Sequence, residues 1–268
     1  MKTRAITGFF FVAVMLASIL LGHYAFTLFF LVLTGLSTEE FYRLVTTEQV
    51  RPQKRWGLAL AISIYLPIGY HFMNNEPLEY ILIAIPVGML IIIAELYRHR
   101  PNPFHNIAYT IFGVIYAAVP FCFFYAMAFL DGSFSTHLPL AFLIMLWASD
   151  TGAYLFGSKL GKHKLFERHS PKKTWEGFIG GMLTSVVSAI IVSYYFADLT
   201  TVQWAGMSLI IVVAGTLGDL SESMLKRSLS AKDSGTLLPG HGGLLDRFDG
   251  LLLAAPLVFV YLQLIRIS

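Results

Sequence analysis

Residues 5–36, "AITGFFFVAVMLASILLGHYAFTLFFLVLTGL", contain no Asp, Glu, Lys or Arg. A helix rising about 1.5 Å per residue crosses the roughly 30 Å hydrocarbon core of a bilayer in about 20 residues. The run is therefore too long for one crossing, and Gly22–His23 interrupts it. Glycine at that point favours a break, so the stretch predicts two helices forming a short hairpin. Its first part, "MKTRAITGFFFVAVMLASILLG", also mimics a secretory signal, with a basic start, an apolar stretch and small residues. The apolar segments that follow hold the chain in the membrane whether or not that part is cut, so it reads as a retained first span.

The same criterion finds further apolar runs at about 56–73, 77–96, 104–130, 138–156, 175–196, 203–226 and 248–266. With the hairpin they make about nine spans, predicting an all-α polytopic membrane protein. Composition agrees: 56% of the 268 residues are hydrophobic and 13% charged, with a mean hydropathy of +0.67. So few charges cannot cover a water-facing globule. The net charge of +3 gives no reason to expect nucleic acid as a partner. Cys122, the one cysteine, cannot form a disulfide within the chain and reads as a buried hydrophobe.

Numbering nine spans sorts the basic residues. Every Lys and Arg except Arg266, of 19 in all, falls on one side. The opposite loops "NNEPLE", "DGSFSTH" and "ADLTTVQ" carry none. Cytoplasmic loops are enriched in Lys and Arg, which predicts the N-terminus inside and the C-terminus outside. One domain, 1–268, is the simplest division: N-terminal helices over 1–130, poor in intramembrane polar groups, then C-terminal helices over 138–268, rich in them. Two long polar inside loops, 157–174 and 227–246, stand apart from the short connectors.

Charged side chains within spans are costly and point to function. Asp150 lies in "LWASDTGAYLFG". Asp219 and Glu222 are spaced i,i+3 on one helix face, which Ser223 and Lys226 continue, and Asp246 and Asp249 repeat that spacing before the last span. Gathered carboxylates repel, so they demand a cation. Hard oxygen donors without nearby cysteine argue for Mg²⁺, which usually takes one or two carboxylates plus substrate phosphates. Lys and Arg around it would hold further phosphate oxygens, and Gly240, Gly242 and Gly243 would let backbone N–H groups approach an anion. The alternative is a set of helix-end charges in salt bridges at the interface. "GSKLGKH" falls short of a P-loop, with too few residues between its glycines and His in place of Ser or Thr. Glu39, Glu40, His71, His99 and His105 read as interfacial.

Residues 223–249, "SMLKRSLSAKDSGTLLPGHGGLLDRFD", resemble the signature of the phosphatidate cytidylyltransferases (CDP-diacylglycerol synthases). "SDTGAYLFGSKLGKHKL", "SPKKTWEG" and "GDLSESMLKR" are similar to further blocks of that family. Before about residue 150 the likeness is one of hydropathy alone. The resemblance implies that CTP and phosphatidate give CDP-diacylglycerol and pyrophosphate, with Mg²⁺ required and K⁺ as a second ion. It implies Asp219 and Asp246 as metal ligands, supported by Asp249 or Glu222. Lys226, Arg227, Lys232 and Arg247 would stabilise the phosphates, beside Asp233 of the signature's Lys–Asp pair. His241 would contact phosphate or donate a proton, its alternative being a loop histidine bonded to backbone. Ser170, Lys172, Lys173 and Thr174 would grip phosphate or nucleotide, against a generic basic loop, while Gly242 and Gly243 would line the nucleotide. A homodimer in a bacterial inner membrane, with the site facing the cytoplasm, completes the expectation.

Two rivals remain on the sequence. A CTP-dependent kinase of a lipid alcohol would share the nucleotide site and release CDP. An ion-coupled transporter would also hold intramembrane acids, although these cluster at one membrane face. A purely structural membrane protein leaves the signature unexplained.

Overall fold

The protein, as a computed structural model, is described over residues 2–237, 240 and 242–267, and for residues 2–6 in backbone only. It forms two compact units, 1–134 with 233–247 and 135–232 with 248–268. Among the described residues, seven helical segments are long and apolar enough to cross a membrane, as expected of a polytopic membrane protein.

In the first unit, α1 (Lys2–Leu20) and α2 (His23–Val45) meet at Gly22, whose φ of 99° suits glycine. This is the break expected in the opening run. α3 (Lys54–Asn74) follows. The expected span at 77–96 begins as a 3-10 turn, Leu78–Ile83, before α4 (Ala84–Leu96). Pro86 lacks the N–H that would bond the Leu82 carbonyl in a continuous α-helix. The run at 104–130 likewise divides into α5 (Pro103–Ala117) and α6 (Val119–Met127), with Pro120 opening the second piece.

Phe26, Phe30, Phe121, Phe124 and Tyr125 are fully buried together, with Phe26 stacked on Tyr125 at 5.6 Å and Phe30 on Phe124 at 5.0 Å. Leu60, Ala61, Ile91, Val114 and Ala118 form a second cluster. Glu95 is buried beneath it, accepting from Gln53 Nε2 at 2.6 Å, Asn106 Nδ2 at 2.7 Å and an Arg98 guanidinium at 2.7 Å. A carboxylate tolerates burial when its oxygens are bonded in this way.

In the second unit, α7 (His137–Leu160), α8 (Trp175–Tyr195) and α9 (Thr201–Ser228) pack with most of α10 (Leu245–Ile267). Glycines bring the helices close. A Cβ at Gly152 would strike Thr184 Oγ1 and lie 2.8 Å from the Gly180 carbonyl, and one at Gly181 would lie 2.8 Å from the Ser149 carbonyl. Ser185 Oγ and Thr184 Oγ1 then donate across the interface to the Met145 and Ala148 carbonyls at 3.1 and 2.9 Å. Small residues and such bonds drive helix association where lipid removes the hydrophobic term.

The expected loop at 157–174 is otherwise. Its first residues finish α7, and the rest forms an antiparallel hairpin, β1 (Lys164–Phe166) and β2 (Ser170–Thr174). Glu176 closes it, accepting the Lys162 and His163 amides at 3.1 and 3.2 Å, with His163 Nδ1 at 2.6 Å. Thr174 then caps α8 by accepting from Gly177 N. The loop at 227–246 is shortened at both ends, α9 running to Ser228 and α10 starting at Leu245.

Candidate functional site

In the first unit the site is the start of α10 and the chain before it. The first N–H groups of a helix lack partners within it. Here a carboxylate from α2 supplies them: Glu40 Oε2 accepts from Leu244 N and Oε1 from Leu245 N, both at 2.9 Å. Glu40 Oε1 also accepts from Ser234 Oγ at 2.7 Å. Asp246 turns back on the same chain, its Oδ2 accepting from Ser234 N, Ser234 Oγ and Gly243 N, each at 2.9 Å. Those three donors fix the direction in which the carboxylate presents itself.

The glycines serve this packing. Gly240 and Gly242 have φ of 76° and 82°, open to glycine at little cost. A Cβ at Gly243 would strike Glu40 Oε1 and Ser234 Oγ, and one at Gly242 would lie 2.6 Å from Asp246 Oδ2 and 3.6 Å from the Asp233 Cβ. The anion that the Gly243 amide meets is thus Asp246 of the chain itself. A cavity of about 470 Å³ lies beside this knot, lined by Leu36, Glu39, Glu40, Arg43 and Ser234 to Leu237 among others.

In the second unit, Lys173 Nζ lies 2.6 Å from Asp219 Oδ2, so β2 delivers its ammonium to α9. Ser223 Oγ donates to Asp219 Oδ1 at 3.3 Å. Gly218 has no side chain, and a Cβ there would strike the Asp249 carbonyl, so α10 lies against α9 with Asp249 beside Asp219. Asp150 of α7 shares this neighbourhood with Lys173, Asp219 and Asp249. Gly250 N donates to Asp249 Oδ1 at 2.7 Å.

The structure therefore brings together Lys173, Asp219 and Asp249 in one unit, and Asp233, Gly242, Gly243 and Asp246 in the other. Lys226 Nζ donates along α9 to the buried Glu222 Oε2 at 2.9 Å. Arg227 donates to the Ala231 carbonyl at 3.4 Å, and Lys232, Arg247 and Lys172 are exposed. Ser170 sits half-buried on β2, and Thr174 is spent on the α8 cap. His241 lies outside the described residues. Sequence reasoning missed Ser234 and placed Glu40 at the interface, whereas Glu40 is 6% exposed. A second acid within the polar end of an apolar span was the available signal.

These donors suit a hard divalent ion. Asp219 and Asp246 offer carboxylate oxygens, and the one cysteine, Cys122, is buried in α6. Among the described residues no three acidic, His or Cys side chains form a ready cage. Mg²⁺ needs none, since water and substrate phosphates complete its shell.

Comparison with known proteins adds the chain's kinship. A family model described as the cytidylyltransferase family matches residues 2–265. The chain is 32% identical to the phosphatidate cytidylyltransferase of Staphylococcus haemolyticus, with 98% of this chain and 99% of the relative covered. It is 33% identical to the protein of that name from Bacillus subtilis, with 98% of each covered, and 33% identical to that from Staphylococcus aureus strain COL, with 98% and 99% covered.

Proposed function

The chain belongs to the cytidylyltransferase family, and from that premise we propose that it transfers the cytidylyl group of CTP to phosphatidate, forming CDP-diacylglycerol and pyrophosphate. An oxygen of the lipid phosphate forms the new bond to the α-phosphorus of CTP. The bond from that phosphorus to the bridging oxygen breaks, and pyrophosphate leaves with the electron pair. A phosphate monoester has a second pKa near 6, so the attacking group is largely dianionic at pH 7 and needs no strong base. Catalysis then consists of alignment and charge neutralisation.

Magnesium, assigned by the signature to Asp219 and Asp246, supplies positive charge to the CTP phosphates when bound. The residues do the rest. Lys173, beside Asp219, contributes a mobile cation to the phosphates. Ser234 and Gly243 hold Asp246 in one orientation. The exposed Lys232 and Arg247 meet the nucleotide from the aqueous side. A cytoplasmic site in a bacterial inner membrane accords with the basic residues on one side and with bacterial relatives. It also lets acyl chains stay in lipid while the headgroup meets CTP. In this reading α1 and α2 cross the membrane as well.

The observation that supports the reading most is a kinship running the whole length of both chains. The test is purified protein in detergent with labelled CTP, phosphatidate and Mg²⁺. CDP-lipid and pyrophosphate should appear in equal amounts, and Asp246→Asn should lower the rate by at least about 100-fold, the scale of losing a metal ligand or its support. Release of CDP in place of pyrophosphate would make the protein a kinase, and no turnover of CTP would remove it from both classes.

A further inference from the structure

Among the described residues, every hydrogen bond given to the carboxylate of Glu40 comes from the signature segment, 194 to 205 residues away in sequence. The fit is mutual. Gly235 and Gly243 lack side chains where a Cβ would collide with that carboxyl group, so the segment is shaped to admit it. A carboxylate on the first amides of a helix is stabilising in itself, and that alone would make Glu40 a fastening.

Ser234 gives it a further consequence. Its hydroxyl lies 2.7 Å from Glu40 Oε1 and 2.9 Å from Asp246 Oδ2, and accepts from Asp246 N at 3.3 Å. A serine has one hydroxyl proton, so one donor serves both acids and the placement of each depends on the other. We propose that Glu40 is a positioning residue for cytidylyl transfer: through Ser234 and the amides of Leu244 and Leu245 it sets the rotamer of Asp246, without touching substrate. The proposal rests on the function given above. A glutamine at 40 cannot replace it in full, because it keeps one acceptor oxygen and its NH2 then faces the N–H of Leu244 or of Leu245.

The experiment uses full-length wild type, Glu40→Gln, Glu40→Asp and Ser234→Ala in detergent. Hydrogen exchange of the Leu244 and Leu245 amides is read without metal or nucleotide, and kcat and the Mg²⁺ midpoint are read in the transfer assay. Glu40→Gln should speed exchange at whichever of the two amides faces the new NH2 and lower kcat roughly 10- to 100-fold, as for loss of bonds to a charged group. It should also raise the Mg²⁺ midpoint about tenfold, the effect expected of a residue that orients a ligand. Glu40→Asp should restore part of both.

Ser234→Ala should leave the two amides protected and still raise the Mg²⁺ midpoint, separating the hydroxyl's hold on Asp246 from the fastening of the helix. Should Glu40→Gln fail to fold, Glu40→Asp carries the test: its shorter arm draws the carboxylate back from Ser234, and a wild-type Mg²⁺ midpoint there would overturn the positioning role. Wild-type kcat and Mg²⁺ midpoint in Ser234→Ala, together with those in any folded Glu40→Gln, would overturn the positioning role. A wild type that forms no CDP-lipid would overturn the reading of function instead.

Discussion

Gly243 is the position where the smallest change should do the most. Its missing side chain is the space filled by Glu40 Oε1 and Ser234 Oγ, and its amide bonds Asp246. An added methyl group must push apart a knot whose oxygens are already committed, which is overpacking on a hydroxyl and a carboxylate together. Gly243→Ala should lower CDP-lipid formation at least about tenfold, a displacement of the order of 1 Å being enough to cost that much in an aligned site. Gly132→Ala, in an open turn where a Cβ meets nothing within 4 Å, should leave the rate alone, its φ of 77° making it a test of strain without crowding. Equal activity of the two variants would contradict the account of the knot. The acids of the signature were legible because carboxylates at the ends of apolar runs have few other uses. Glu40 was not, because its meaning lies in partners about 200 residues away that no local pattern can report.

At the scale of elements, the apolar runs showed the helices, while the interruptions within the runs at 77–96 and 104–130 came only with the structure. The hairpin of β1 and β2 stayed hidden. "KLF" and "SPKKT" are too short and too polar to display a buried face of period two. What closes the hairpin is Glu176, taking up two amides and an imidazole, and that dependence has no periodic trace. Helix contacts were not legible in the sequence, and the structure says which glycines make them. Gly152 has Thr184 and the Gly180 backbone against it, whereas Gly35 in α2 has nothing within 4 Å of a built Cβ. Gly152→Val should therefore cost about 1–3 kcal/mol or more and lower the unfolding temperature in detergent by several degrees. Gly35→Ala should hold or raise it, since removing a helix glycine is worth about 0.5–1 kcal/mol. A Gly152→Val protein unfolding at the wild-type temperature would show that α7 and α8 do not meet as described.

Topology belongs to the whole molecule. With so few charged residues, the restriction of lysines and arginines other than Arg266 to alternate segments is what supports the proposed orientation. The proposed topology puts Lys172 and Lys173 of the hairpin, Arg51 before α3 and Arg98 after α4 on the inner side, and Leu21 and Ser133 on the outer. Cys122 is the only thiol and is buried in α6, so a Cys122→Ala background offers single reporter positions. Gln49→Cys and Lys164→Cys should react with a membrane-impermeant maleimide only after cells are opened. Ser133→Cys, between α6 and α7, should react in intact cells. Leu21→Cys, at the exposed turn between α1 and α2, decides whether the opening hairpin crosses: labelling in intact cells means that it does. Labelling of Leu21→Cys only after opening would leave α1 and α2 on the inner surface and reduce the crossings to seven, with the catalytic loops still facing the cytoplasm. Labelling of Lys164→Cys in intact cells would put the hairpin on the wrong side for CTP.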